Sequence, residues 1–275
     1  MVLGQAGMAG LIVVALHLLV AAVATAWVPA DPLHMSADQI LLGPSWDHWF
    51  GTDQLGRDVL SRTLAGGRIA IATTAAAALL ALGLGATIGI SAGVAGGFWD
   101  DLAMHAVDAL LAVPKLLFLL LVVGVFGGGL ATLVLTFGVL HGLSVARVAR
   151  ASAREIASRD FVWAARARGE GWFGLVVREV LPNLAGVLLV DGAMRWSWML
   201  ITFSSLSFLG LGVSPPTPDW GSMIADARTV LGVAPWAALA PCLALTSLIL
   251  GVNFLGGALG HAMSADHAAR TATSL

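Results

Sequence analysis

The sequence predicts an all-α polytopic membrane protein with six transmembrane helices in a single domain, residues 1–275. The chain is 58% hydrophobic, and its mean hydropathy is +0.90. Only 11% of its residues are charged, whereas soluble domains contain about 25%. Six apolar stretches are each long enough to cross about 30 Å of hydrocarbon. Charged or turn-forming segments separate these stretches.

The first span is predicted over residues 8–28. Ala24-Thr25-Ala26 resembles a signal-peptidase site. However, the first basic residue of the chain is Arg57, so the basic segment that begins a signal peptide is missing. We therefore expect an uncleaved span. The following segment, 29–68, is polar and interrupted by prolines, and its last part, 59–68, suits a short helix at the membrane surface.

The second span is predicted over residues 69–97. It carries a glycine at every fourth position: Gly85, Gly89, Gly93 and Gly97. Small residues at this spacing allow two helix backbones to approach closely in a membrane. Two explanations stand at this point: a helix-packing face, or the general abundance of glycine in a chain that holds 33.

The third and fourth spans are predicted over residues 102–126 and 130–146. The three consecutive glycines 127–129 form the turn between them. Three acidic residues mark an expected short loop: Asp100, Asp101 and Asp108. The third span is then 113–126, with residues 102–112 as its alternative earlier start.

The segment 147–183 is the most basic part of the chain. Seven of the 14 Lys and Arg residues fall in it: Arg147, Arg150, Arg154, Arg159, Arg166, Arg168 and Arg178. Residues 147–168 lack Gly and Pro and are rich in helix-forming Ala and Arg, so they predict a helix. Gly169 and Gly171 should break it, and a second short helix, 172–181, should end at Pro182. Such a helix–break–helix segment suits docking to a soluble partner.

The fifth and sixth spans are predicted over residues 184–208 and 236–259, joined by a return loop rich in Gly and Pro. Six spans place both termini on one side of the membrane. The positive-inside rule makes the side of the basic segment cytoplasmic. The segments expected on the other side hold only four arginines: Arg57, Arg62, Arg68 and Arg228.

Asp191 and Arg195 lie four residues apart on the fifth span, so they share a helix face and can pair. Their predicted position is near the middle of the bilayer, where a lone charge costs about 2.5–3.5 kcal/mol on insertion scales. Two interpretations remain open for the pair. It lines the translocation path, or it anchors the fifth span to a neighbouring helix.

Several kinds of chemistry are missing from the sequence. The only lysine, Lys115, follows a proline, so the Gly-Lys of a phosphate-binding loop is absent. The histidines are not spaced for a zinc site, and the single Cys242 excludes an internal disulfide. We therefore expect no cofactor or metal on this chain. His141 and Ser144 could meet on one helix face, which raises an intramembrane serine hydrolase as an alternative.

Three stretches resemble one family, the C-type permease subunits of peptide and nickel ABC importers. Residues 50–71, FGTDQLGRDVLSRTLAGGRIAI, resemble the segment that follows the first span of these subunits. Residues 205–228, SLSFLGLGVSPPTPDWGSMIADAR, are similar to their return-loop signature almost residue for residue. Residues 159–183 resemble the more general "EAA" loop of importer permeases: Ala164 and Ala165 match its alanines, Gly169 its glycine and residues 181–183 its closing Leu-Pro-Asn.

The chain departs from the family pattern at a few positions. Trp163 stands where the loop usually has glutamate, and Arg168 where an apolar residue is common. Glu170-Gly171 replaces a pair of small residues. The stretch 256–260 resembles the family's ending without its usual acidic residue. The missing glutamate would weaken or change a contact with the ATPase.

The resemblance implies a type I ABC importer permease fold in the bacterial inner membrane, with a coupling helix over about residues 160–171. It implies that this chain is not an enzyme, because ATP and Mg²⁺ bind a separate ATPase. The expected partners are two ATPase subunits, a homologous second permease, an external solute-binding protein and the lipid bilayer, with no nucleic acid. The residues implied to form the coupling loop are Asp160, Phe161, Trp163, Ala164, Ala165, Arg166, Arg168, Gly169 and Trp172.

Short peptides are the expected solute, and nickel or a metal chelate is the alternative. The spans hold no cluster of His or Cys, which disfavours direct contact with a metal. An uncoupled channel is a more distant alternative, distinguished from an importer by the coupling loop, which a channel does not need.

Overall fold

The computed structural model describes residues 4–24 and 27–273, with side chains described as far as Met263. Thr25 and Ala26, which complete the sequence resembling a signal-peptidase site, lie outside the described residues. The described chain is helical, and its only β-pairing is a single bridge between Thr52 and Asp58. The helices are α1 (Gln5–Val23), α2 (Val59–Ala95), α3 (Gly97–Leu111), α4 (Lys115–Phe126), α5 (Leu130–Ala157), α6 (Asp160–Ala167), α7 (Trp172–Phe208), α8 (Trp220–Ala227) and α9 (Trp236–Thr273).

The predicted all-α fold with six spans is confirmed. In the described residues, five helices are long and apolar enough to cross a membrane: α1, α2, α5, α7 and α9. The pair α3 and α4, which bend by 79° where they join, counts as the sixth span when the two helices are taken together. The bend falls at Pro114, whose ring disfavours a helical conformation of the preceding residue.

Both ends of the described chain lie at the same end of the helix bundle as α6, which we call the α6 end. α1 runs antiparallel to α9, since His17 lies against Ala244 whereas the earlier Gly10 lies against the later Gly251 and Leu255. In the half of α7 nearer to α6, Gly186 packs against Met263 of α9. The opposite end of the bundle carries residues 29–58 and 209–235. This arrangement is the one that six spans require.

Helix α2 is longer than predicted, because the expected surface helix 59–68 and the span 69–97 are one continuous helix. The Asp58 carboxylate caps its first turn by accepting a hydrogen bond from the Ser61 N–H at 2.8 Å. Its end is set by Gly96 and Gly97, which have φ values of +64° and +57°, a region that favours glycine. The first span is shorter than predicted and ends at Val23.

The predicted loop with three aspartates is wrong: Asp100, Asp101 and Asp108 lie within α3. Two of them are held there by arginines of α5, because Asp100 pairs with Arg150 and Asp108 with Arg147. These pairs tie α3 against the α5 extension at the α6 end. The ion pairs with α5 therefore allow a helix at acidic residues for which the sequence alone predicts a loop.

The basic segment also differs from its prediction. The expected helix 147–168 breaks at Ser158 and Arg159, where the Ser158 hydroxyl donates to the Glu155 carbonyl at 2.7 Å and Arg159 is extended. Pro182 does not end a separate helix, because α7 passes through it. The turns at Leu175–Val180 are π-helical. In a π-helical turn each carbonyl accepts from the N–H five residues later instead of four. A carbonyl four residues before Pro182 can therefore find a donor although the proline has no N–H.

Two apolar clusters form the interior. The larger one joins the spans and is centred on Phe137, Phe203 and Leu248, each at most 1% exposed. The second lies at the α6 end and packs Ile90 and Val94 of α2 against α5, α6 and the start of α7.

The three glycines Gly85, Gly89 and Gly93 lie where α2 crosses α5. An added Cβ would lie 2.4 Å from the Val145 Cβ at Gly85, 2.3 Å from a backbone oxygen at Gly89 and 2.7 Å from one at Gly93. Only glycine fits such an approach of two backbones. The fourth glycine of the repeat, Gly97, has open space around its Cα and lies in the turn that begins α3.

Candidate functional site

Helix α6 is a short amphipathic helix docked on the end of the bundle. Its inner face consists of Val162 and Ala165, both fully buried in the cluster at the α6 end. There they lie with Ile156, from the end of α5, and Val180, from the first turns of α7. Burial of these side chains holds α6 against both long helices. Helix α6 is therefore attached to both α5 and α7.

The outer face of α6 is exposed and combines aromatic and cationic side chains. Trp163 is 57% exposed, and the Arg166 guanidinium carbon lies 5.2 Å from the centroid of its ring, within the range of a cation–π contact. Past the turn, Trp172 and Phe173 are also exposed. The α6 surface, as we call it, consists of the exposed Asp160, Phe161, Trp163, Ala164, Arg168, Trp172 and Phe173 together with the half-buried Arg166.

Ala165 is the one predicted coupling residue that faces inward rather than lying on this surface. Exposed aromatic groups beside arginine are enriched in protein–protein interfaces. The α6 surface therefore has the composition of a docking site for another protein.

Gly169 makes the turn that follows α6. Its φ is +83°, while an added Cβ would have no heavy atom within 4 Å. Glycine is thus required by backbone conformation and not by lack of space. Glu170 stabilises the same turn, since its N–H donates to the Ala165 carbonyl at 3.2 Å and its carboxylate pairs with Arg178 at 3.2 Å.

Asp191 and Arg195 form the predicted pair on α7. The Arg195 Nε donates to the Asp191 carboxylate at 2.6 Å, and both side chains are about four-fifths buried. Arg195 reaches further: its Nη2 donates to the Ser144 carbonyl on α5 at 3.3 Å. The pair therefore also links α7 to α5.

Lys115 lies in the same group of polar side chains around Ser144, and this position was not predicted from the sequence. Its ammonium group donates to the Ser144 hydroxyl at 3.3 Å. The available signal was a lone lysine at the start of a long apolar stretch, because an ionisable residue inside a span usually marks a function. Lys115 comes from α4, so residues far apart in sequence converge on Ser144.

His141 is buried one turn before Ser144, at 8% exposure, and its Nδ1 has no hydrogen-bond partner. The Ser144 hydroxyl meets Lys115 rather than this imidazole. In the described residues, no hydrogen bond joins His141 to Ser144, so the pairing that a serine hydrolase needs is not assembled.

At the opposite end, the two stretches 50–71 and 205–228 pack against each other. The Trp220 indole N–H donates to the Thr63 carbonyl at 2.8 Å. Arg57 pairs with Asp53 at 2.7 Å and approaches the Asp226 carboxylate at 3.7 Å. The second stretch begins 134 residues after the first one ends, at 205 and 71, yet the two form one packed unit.

Groups of three or more His, Cys, Asp or Glu residues that could hold a metal ion do not occur in the part of the chain that the structure describes. The candidate site consists of the exposed α6 surface at one end of the bundle and a charged cluster on α4, α5 and α7.

Comparison with known proteins gives consistent results. Residues 85–265 match the family described as binding-protein-dependent transport system inner membrane component. A putative peptide permease protein of Brucella suis is 37% identical over 235 residues, which cover 85% of this chain and 78% of that protein. The glutathione transport system permease protein GsiD of Escherichia coli is 36% identical over 248 residues, which cover 90% of this chain and 82% of that protein.

Proposed function

This chain belongs to the family of binding-protein-dependent transport system inner membrane components, and we propose that it is a permease subunit of an ABC importer for short peptides. As an inner membrane component of a transport system, it moves a solute rather than transforming it. The observation that carries the proposal is the α6 surface. It is an exposed, arginine-rich aromatic face on a helix that is anchored to the spans.

Peptides are the solute class that the similar proteins have in common. One of these relatives is named as a putative peptide permease and another as a glutathione permease, and glutathione is a tripeptide. The described spans bring together Asp191, Arg195 and Lys115, which are groups able to meet a zwitterionic solute. We assign Asp191 and Arg195 to the translocation path.

Coupling to ATP would use the α6 surface. A separate ATPase subunit would receive this surface and hold ATP and Mg²⁺, and closure of two such subunits would move α6. Val162 and Ala165 would pass the movement to α5 and α7, because they are buried between these helices. To drive a switch between two conformations, ATP needs only to stabilise one of them by a few kcal/mol more than the other.

The remaining partners would be a homologous second permease beside this chain and a solute-binding protein at the opposite end. The α6 end, with both ends of the chain, would face the cytoplasm. The basic residues support this orientation, since seven arginines lie in residues 147–183 and four at the opposite end.

ATPase stimulation tests the proposal. The chain would be purified with the second permease and the ATPase subunits encoded beside it, reconstituted in lipid, and mixed with the neighbouring binding protein. We expect that binding protein loaded with peptides raises ATP hydrolysis several-fold over the empty protein. Stimulation by a nickel-loaded protein alone would favour the metal-chelate importer. Failure of any ATPase to co-purify would favour an uncoupled channel.

A further inference from the structure

Three helices bring polar side chains to one point within the spans. Lys115 of α4 donates to the Ser144 hydroxyl, and Arg195 of α7 donates to the Ser144 carbonyl, each at 3.3 Å. The two cations thus approach the same residue of α5 from two other helices.

The positions of the three residues along their helices place the cluster well inside the spans. At 1.5 Å per residue, Lys115 is about 17 Å from the outer end of α4, Ser144 about 21 Å from that of α5, and Arg195 about 20 Å from that of α7. A hydrocarbon core is about 30 Å thick. Lys115 is nevertheless an exposed residue. A lysine at this depth is too costly to leave against lipid, so its surroundings must be water or protein.

The charges of the cluster do not balance. Arg195 has Asp191 as its partner at 2.6 Å, whereas Lys115 makes no ion pair with an acidic side chain in the residues that the structure describes. Two cations and one carboxylate leave one positive charge. The uncapped N-terminus of α4, which begins at Lys115, adds further positive potential. An unpaired cation next to a second one favours an anion as its ligand.

We propose that Lys115 and Arg195 form a binding position for a carboxylate group of the solute on the translocation path. Lys115 supplies the unpaired charge, and Arg195, held by Asp191 and Ser144, supplies a fixed guanidinium beside it. The inference rests on the proposed function, because it takes the passing solute to be a peptide. The Ser144 hydroxyl holds the Lys115 ammonium until the carboxylate replaces it.

Lys115→Met tests the site with little risk to the fold, since Lys115 is exposed and makes one side-chain hydrogen bond. Lys115→Arg is the matched control that keeps the charge. Uptake into vesicles would be measured at saturating loaded binding protein with two peptide pairs. Each pair differs by one carboxylate: Ala-Ala-Ala against its C-terminal amide, and Ala-Glu-Ala against Ala-Gln-Ala. Because the binding protein is the same throughout, a changed ratio reports on the permease.

We expect Lys115→Met to lower the uptake ratio of carboxylate to neutral peptide by about tenfold in at least one pair, as for a lost charge-assisted hydrogen bond, and Lys115→Arg to preserve the ratio. Uptake ratios that stay unchanged in both peptide pairs would overturn the carboxylate site but leave the proposed peptide solute standing. Loss of the second permease from the purified Lys115→Met complex would also overturn it, because Lys115 would then pair with an acid of that subunit. Wild-type complex that takes up no peptide would overturn the proposed solute as well.

Discussion

At the scale of single residues, Trp163 shows how a departure from a family pattern changes a surface. The expected glutamate would offer a charge, whereas this indole is 57% exposed and stacks near the Arg166 guanidinium. The α6 surface therefore presents an apolar plane and cations. Buried interface tryptophans commonly contribute 2 kcal/mol or more to association, so this position should contribute affinity by burial rather than by ion pairing.

Trp163→Ala should reduce association with the ATPase subunits by about tenfold or more, as expected for an interface tryptophan, and leave the fold intact because the side chain is exposed. Co-purification of the ATPase subunits would measure the effect. Trp46→Ala provides the control, since Trp46 is 93% exposed at the opposite end. Equal ATPase binding by both variants would argue against α6 as the docking site.

Gly169→Ala should uncouple ATP hydrolysis from transport without preventing insertion. Its φ of +83° makes any side chain cost about 1–2 kcal/mol there, and the turn would relax and displace Arg168 and Trp172. Gly171→Ala is the matched control, because Gly171 has φ −70° and open space around its Cα. Transport per ATP hydrolysed is the measurement. Wild-type coupling in Gly169→Ala would contradict the expectation.

At the scale of elements, the sequence predicted the spans well and their ends poorly. Apolar length is a local property, so the six crossings could be counted directly from the chain. The limits of α2, α3 and α7 depend on tertiary partners. Asp100 and Asp108 are helical because arginines of α5 hold them, and α7 passes Pro182 because π-helical turns precede it. Neither effect has a signature in local composition.

Gly89→Leu should prevent α2 and α5 from packing, because even a Cβ there would lie 2.3 Å from the Ala146 carbonyl oxygen. We expect a loss of at least about 1–3 kcal/mol, the usual cost of overpacking, seen as lower thermal stability of the purified complex. Gly83→Leu is the control on the same helix, since its Cα faces open space. Similar melting temperatures for the two variants would contradict this account.

At the scale of the whole molecule, the candidate site was only partly predictable. A short exposed helix near residues 160–171 could be predicted from the sequence, and the pairing of Asp191 with Arg195 from their spacing; the coupling role of this helix stays a prediction. Lys115 could not be joined to them, because its link to Ser144 spans 29 residues and depends on the 79° bend between α3 and α4. Contacts between separate helices of this kind are set by packing, which no single stretch encodes.

The orientation of the molecule gives a further prediction. In a Cys242→Ser background, which removes the only cysteine, a cysteine at position 46 should react with a membrane-impermeant maleimide in intact spheroplasts. A cysteine at position 168 should react only after the membrane is opened, because we place the α6 end in the cytoplasm. The reverse labelling pattern would overturn the proposed orientation.

The close crossing of α2 and α5 limits how such a molecule can change shape. At Gly85, Gly89 and Gly93 the two helices pack so closely that even one added Cβ would lie within 2.7 Å of an atom of α5, and this packing opposes sliding of one helix along the other. The two helices should therefore move together as one rigid body, with α6 attached at one end. Bending would be left to the places where the chain is already interrupted, such as Pro114, beside Lys115. A displacement of α6 would then change the angle between α3 and α4 beside the charged cluster.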